Sequence, residues 1–209
     1  MPGSRLPIPD PKPDIEAAAR RLSEGGLAVF PTDTVMGLGC LARSPDGVRA
    51  VFELKGREPG KPLILFVESS VALPRITGFM TPRVKALLDA FWPGALTAIL
   101  PLKAQFPLGV GKDGSVGIRV PDHPVPLALV RACGGPLATT SANPAGGEPF
   151  RDAAAAREVW GNSAEVVDGS CGGVPSTVVD LTSWPPRVLR EGGIPAAEVA
   201  RAIKRFSGI

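Results

Sequence analysis

Two patterns divide the chain: segments with apolar residues at helical spacing, and short runs that are apolar throughout. Ile15, Ala18, Ala19 and Leu22 fall at i, i+3, i+4 and i+7 and so share one helix face. Asp14 reads as the N-cap of that helix and Gly25 as its stop. Val84, Leu87, Leu88 and Phe91 repeat the spacing after Thr81-Pro82, a capping residue followed by proline at the first helical position. Val199, Ala202, Ile203 and Phe206 repeat it again. A shorter helix is predicted from about Pro45 to Lys55, burying Val48, Val51 and Phe52 and ending at Gly56. Two more are predicted around 125–132 and 152–160. Between the helices lie apolar runs at 27–30, 63–67, 96–100, 137–138, 166–167, 178–181 and 188–189. Unbroken apolarity, rather than alternation, predicts strands covered on both faces. Strands alternating with helices predict an α/β sheet. No repeat or composition break divides the chain, which reads as a Pro-rich segment over 1–13 followed by one domain over 14–209.

Composition narrows the function classes. The 209 residues are 44% hydrophobic and 21% charged, values of a globular chain. There are 25 glycines and 24 prolines, about twice the usual share, which predicts many tight turns. The formal net charge is only +3, so any basic function must come from local clustering. The three cysteines, Cys40, Cys133 and Cys171, make no C-x-x-C pair, which leaves no disulfide framework or zinc finger and suggests a reducing compartment. His123 is the single histidine, so H-E-x-x-H sites are excluded, and no G-x-S-x-G elbow accompanies it. Placed before Pro124, it reads as a structural residue near a helix start. No apolar run approaches membrane-spanning length and the first residues do not form a signal peptide, so the expected location is the cytoplasm, away from membranes.

The chemistry gathers where the apolar runs stop. Thr32-Asp33-Thr34 follows the first run, and Lys55-Gly56-Arg57 with Lys61 follows the second helix. Ser115 leads into Gly117-Ile118-Arg119, Thr139-Thr140-Ser141-Ala142-Asn143 follows 137–138, Ser176 precedes 178–181, and Arg190 follows 188–189. Ligands of α/β sheets bind at strand ends. A set of Lys, Arg, Ser, Thr and Asn suits anions, whereas a tunable general base is almost missing. Singly, each of these residues has an ordinary structural reading as a turn, a cap or a solvated helix end. No P-loop and no G-x-G-x-x-G is present, so a nucleotide would need another cradle.

In order, these segments resemble the YrdC family of threonylcarbamoyl-AMP synthases. The matching stretches are Pro31-Thr32-Asp33-Thr34-Val35-Met36-Gly37-Leu38, Lys55-Gly56-Arg57 with Lys61-Pro62-Leu63, and Trp92-Pro93-Gly94-Ala95-Leu96-Thr97. Val116-Gly117-Ile118-Arg119-Val120-Pro121-Asp122-His123 and Ser141-Ala142-Asn143-Pro144-Ala145-Gly146 follow. Pro175-Ser176-Thr177-Val178-Val179-Asp180 and Leu189-Arg190-Glu191-Gly192 complete the set. The resemblance implies a single α/β domain, a twisted mixed sheet flanked by helices around a large basic cavity. It implies a nucleotidyltransferase that makes threonylcarbamoyl-AMP and pyrophosphate from L-threonine, bicarbonate or CO2, and ATP with Mg2+. The product feeds tRNA threonylcarbamoyladenosine formation by a downstream transferase, with weak tRNA binding by the synthase itself.

Carried over residue by residue, the resemblance makes Lys55, Arg57 and Lys61 the catalytic set. Arg57, Lys61, Ser115, Asn143, Arg151 and Arg190 would bind ATP, and Thr34, Arg119, Ser141 and Ser176 would surround threonine. No protein metal ligands are implied. Three positions depart from the family pattern: Met36 stands where Tyr is common, Phe66 where one branch has His, and Glu58 where Pro is usual. The length matches the short form without a second domain. Two other readings remain open: an RNA-binding module without catalysis, favoured by the basic isoelectric point, and a carbamoyl-adenylating domain related to hydrogenase maturation.

Overall fold

The computed structural model describes residues 13–58, 60–78 and 80–208. Of the expected Pro-rich segment 1–13, all but Pro13 lies outside them. The helices are α1 (Pro13–Ser23), α2 (Pro45–Lys55), α3 (Leu73–Thr77), α4 (Pro82–Phe91), α5 (Pro124–Ala132), α6 (Ala153–Trp160) and α7 (Ala196–Phe206). The strands are β1 (Ala28–Phe30), β2 (Gly37–Leu41), β3 (Ile64–Phe66), β4 (Leu96–Pro101), β5 (Ser115–Arg119), β6 (Leu137–Ser141), β7 (Glu165–Val166), β8 (Thr177–Asp180) and β9 (Arg187–Arg190).

Helix starts follow the capping chemistry written in the sequence. Ser44 accepts from Gly47 N, Thr81 from Val84 N and Asp152 from Ala155 N, each satisfying a donor that the first turn leaves free. His123 does the same for α5, its Nδ1 accepting from Val125 N at 3.2 Å. Gly56 closes α2 in the left-handed region at φ 61°. Asp14 is not the expected N-cap. α1 begins at Pro13, and the Asp14 carboxylate, inside the first turn, instead accepts from Asp168 N across the chain.

The described residues form one mixed sheet in the order β7-β1-β2-β6-β3-β5-β4-β8-β9. β7 pairs with β1, β3 with β5 and β4 with β8 in parallel; the remaining neighbours are antiparallel. Successive strand residues face opposite sides. Ala28 and Phe30 therefore join Ile15, Ala18, Leu22 and Leu129 in a core beneath α1 and α5. Val29 turns the other way, into a larger core with Leu38, Val51, Leu65, Leu87, Ile118, Trp160 and Val199. The result is a single α/β domain, helices covering both faces of a mixed sheet, as the sequence implied.

Several elements differ from expectation. β2 and β5 are strands where no continuous apolar run predicts one, and α3 follows a short 3-10 turn over Ser70–Ala72 that the spacing does not signal. β9 is not covered on both faces. It is the edge of the sheet, and Leu189 is 54% exposed. β6 also runs past its apolar start to Ser141, so its hydroxyl residues are strand residues rather than loop.

Candidate functional site

The turn from β1 to β2, the starts of β2 and β3, the ends of β5 and β6, the approach to β8 and the end of β9 enclose one cavity of about 280 Å3. Five strands lie between β2 and β9 in the sheet. Their residues meet across one hollow because a twisted sheet curls as its strands accumulate. Larger hollows exist elsewhere, one of about 740 Å3 at the opposite end of the central strands. Chemistry, not size, singles out the smaller one: Arg57, Arg119 and Arg190 all line it.

Each arginine is held in a fixed orientation. Arg57, just past α2, donates from Nε to Lys61 O at 2.7 Å, from Nη1 to Thr140 Oγ1 at 3.0 Å and from Nη2 to Pro62 O at 3.0 Å. Arg190, on β9, donates from Nη2 to Ser176 O at 2.9 Å, and the Ser176 hydroxyl lies 2.8 Å from that of Thr97. Arg119, at the end of β5, donates from Nε to Gly94 O at 2.9 Å and from Nη1 to Thr34 Oγ1 at 2.7 Å. Its Nη2 lies 2.6 Å from Asp33 Oδ2. The Phe66 ring sits under its guanidinium at 5.7 Å, a cation–π contact. Burial lowers the pKa of all three guanidiniums. At Arg119 the Asp33 carboxylate opposes that shift, and the charge of Arg190 adds to it.

A second layer braces this wall. The Lys55 side chain is buried at the end of α2, where its Nζ donates to Ser141 O at 2.6 Å and to Asn143 O. Burial, and then the charge of Arg57, push it down to about 8. Asn143 spends its amide on the same turn, donating to Pro144 O and Gly147 O. Thr32 accepts from Thr34 N and donates to Val35 O, which shapes the β1–β2 turn.

Of the residues singled out in the sequence, the structure brings Thr34, Arg57, Arg119, Ser141, Asn143, Ser176 and Arg190 to the cavity wall. Four lie elsewhere. Lys55 stands behind the wall. Lys61 is exposed and paired with Glu58 at 3.1 Å, which also gives the unusual Glu58 a partner. Ser115 begins β5 and donates to Lys112 O. Arg151 is exposed and packs alongside Gly173. Conversely, Thr32, Thr139 and Thr140 line the cavity although the sequence reading gave them no role, and Asp33 enters through Arg119. Their signal was the hydroxyl run Thr139-Thr140-Ser141 in β6 and the flanks of Thr34. Met36 and Phe66, two of the three departures, both line the same hollow.

A family model described as "Telomere recombination", covering Sua5, YciO and YrdC, matches residues 20–192. The chain belongs to the Sua5–YciO–YrdC family. Every residue lining the cavity falls inside that match. Similar relatives include the Bacillus subtilis threonylcarbamoyl-AMP synthase, 40% identical over 91% of this chain and 57% of the relative. The Thiobacillus denitrificans threonylcarbamoyl-AMP synthase is 35% identical over 82% of this chain and 92% of the relative. Among solved structures, Pyrococcus abyssi Sua5 complexed with L-threonine superposes with a TM-score of 0.86 at 37% identity, covering 90% of this chain and 57% of that one. The chain thus spans little more than half the length of the Bacillus and Pyrococcus relatives.

Proposed function

We propose that this protein is an L-threonylcarbamoyladenylate synthase, joining L-threonine, CO2 or bicarbonate and ATP into threonylcarbamoyl-AMP and pyrophosphate for tRNA modification in the cytoplasm. The observation that carries the reading is the convergence of Arg57, Arg119 and Arg190 from three separate elements on one hollow. Its standing is strengthened by two kinds of relative: curated synthases and a solved relative that holds L-threonine. Among the described residues no helix is long and apolar enough to cross a membrane.

The reaction asks for positioning and charge neutralisation more than proton transfer. The neutral amine of threonine forms a C–N bond to CO2 and releases a proton. The resulting carbamate oxygen attacks the α-phosphorus, and pyrophosphate leaves. Carbamate, triphosphate and amino-acid carboxylate repel one another, so holding them in line in a cationic, partly dry hollow lowers the barrier. Arg57 and Arg190 would take phosphate oxygens, with Ser115 and Arg151 reaching the nucleotide beyond the cavity. Lys61 would join them by leaving Glu58. Arg119 would take the threonine carboxylate with its planar fork, and Thr34, Ser141 and Ser176 would complete that subsite. Asn143 would complete the nucleotide side from the wall, and Lys55 would act from behind, holding the Ser141 and Asn143 carbonyls. The wall donates hydrogen bonds and positive charge, and its nearest carboxylate, Asp33, is committed to Arg119. Mg2+ would therefore arrive on the triphosphate, where it withdraws charge from the phosphates. A downstream transferase would pass the threonylcarbamoyl group to tRNA.

The test is ATP–pyrophosphate exchange that requires both threonine and bicarbonate. Exchange with both present supports the reading. Exchange with carbamoyl phosphate in their place would make this a carbamoyl-adenylating domain. Tight RNA binding without exchange would make it an RNA-binding module.

A further inference from the structure

The Asp33–Arg119 pair has a duty that the cavity wall alone does not explain. Arg119 is a cavity-lining residue whose side chain is only 3% exposed, and the Asp33 side chain is 15% exposed. Two of the five guanidinium N–H groups make regular hydrogen bonds, to Gly94 O and Thr34 Oγ1. The approach of Nη2 to Asp33 Oδ2 is close but not aligned as a hydrogen bond. Arg119 Nη2 and Asp33 Oδ1 are both buried without a hydrogen-bond partner. Buried polar atoms are almost always satisfied, so an unspent donor and acceptor in one pair mark a place kept for something else. Asp33 itself does not line the cavity. Its neighbours Thr32 and Thr34 do, while its carboxylate supplies the counter-charge that lets Arg119 stay buried.

We propose that Asp33 is a positioning residue for amino-acid recognition: it fixes the Arg119 guanidinium at the cavity wall so that its unspent donors meet the substrate carboxylate. The inference rests on the proposed function for the identity of that substrate. Without Asp33, Arg119 would be a buried cation with no counter-ion, and it would turn toward solvent or toward the phosphates. The amino-acid subsite would then lose its anchor while the nucleotide subsite, built on Arg57 and Arg190, keeps its own.

Asp33→Asn keeps the shape and removes the charge. The expected result is a rise in the threonine KM of about 10–100-fold, the range for partners that orient a ligand-binding group, with the ATP KM and kcat changed less than about threefold. In an Arg119→Lys background the same substitution should add almost nothing, because both act through one group. A threonine KM within twofold of wild type, or an undiminished effect in the Arg119→Lys background, overturns the proposal. An arm independent of turnover follows Arg119 by 15N NMR of arginine-labelled protein. Restricted rotation of the Nη groups in the wild type, released in Asp33→Asn, is expected. Free rotation in the wild type overturns the proposal even if Asp33→Asn does not fold. If the wild type neither binds threonine nor releases pyrophosphate, it is the proposed function that fails, and the NMR arm still decides whether Asp33 holds Arg119.

Discussion

Lys55 Nζ donates to the carbonyl oxygen of Ser141 at 2.6 Å, tying the last residue of α2 to the last residue of β6. The tie reaches between segments far apart in sequence and holds the cavity floor from behind. Burial and the Arg57 charge lower Lys55 to about 8 from its ordinary 10.5.

That shift has a signed consequence for stability. Between about pH 8 and 10.5 the unfolded chain carries a proton on Lys55 that the folded chain has lost, so stability rises with pH across that interval. Below it the cost of the buried ammonium is fully present. The Lys55→Met variant should lack this rise. Urea unfolding of both proteins at pH 8 and pH 10 checks it: the wild type should gain on the variant at the higher pH.

Arg57→Lys keeps the charge and removes the fork that reaches Lys61 O, Thr140 Oγ1 and Pro62 O at once. Turnover should fall roughly 100-fold, the loss typical of one preorganised donor, in a pyrophosphate-release assay. Far-UV circular dichroism should stay unchanged, since Arg57 stands outside both hydrophobic cores.

Gly192 crosses the strand end that carries Ser176. A Cβ there would fall on the Pro175 carbonyl oxygen and within 2.5 Å of the Ser176 carbonyl carbon, and backbone cannot swing aside as a side chain can. Gly192→Ala should cost about 1–3 kcal/mol as an overpacking change. It should also push Arg190 away from Ser176, so activity should drop together with stability in parallel melting and turnover measurements.

Thr177 is fully buried, and its hydroxyl donates to Ile194 O at 2.6 Å while accepting from Gly192 N and Ile194 N. Thr177→Val has nearly the same volume and strands all three groups. A loss of about 1–3 kcal/mol in denaturant unfolding is expected, the penalty for leaving buried polar groups unmatched.

Local chemistry made the helices legible. Thr81-Pro82 announces the start of a helix and Gly56 the end of one, and α4 and α2 lie where those signals put them. β2 was hidden because its glycines read as a turn. The reason for glycine there is distant in sequence: a Cβ on Gly37 would come within 3.0 Å of the Phe30 ring on the neighbouring strand. β5 was hidden because Gly117 and Arg119 interrupt its apolar residues, and Arg119 is tolerated in the interior only through Asp33, Thr34 and Gly94. At the cavity, Arg190 could be named from its place after an apolar run and Arg57 from its place after a helix, whereas Arg119 was named through the family resemblance. The division of labour between Lys55 behind the wall, Arg57 on it and Lys61 outside it could not, because it depends on how the chain turns after Gly56.

The cavity draws one wall from the turn after the first strand and another from the last strand. A polypeptide emerging from the ribosome therefore carries Thr34, Arg57 and Arg119 long before it can offer Arg190, and the hollow stays gaping on one flank until β8 and β9 dock. Under the proposed function, partly synthesised or C-terminally clipped copies lacking those strands would have no complete hollow in which to hold both substrates.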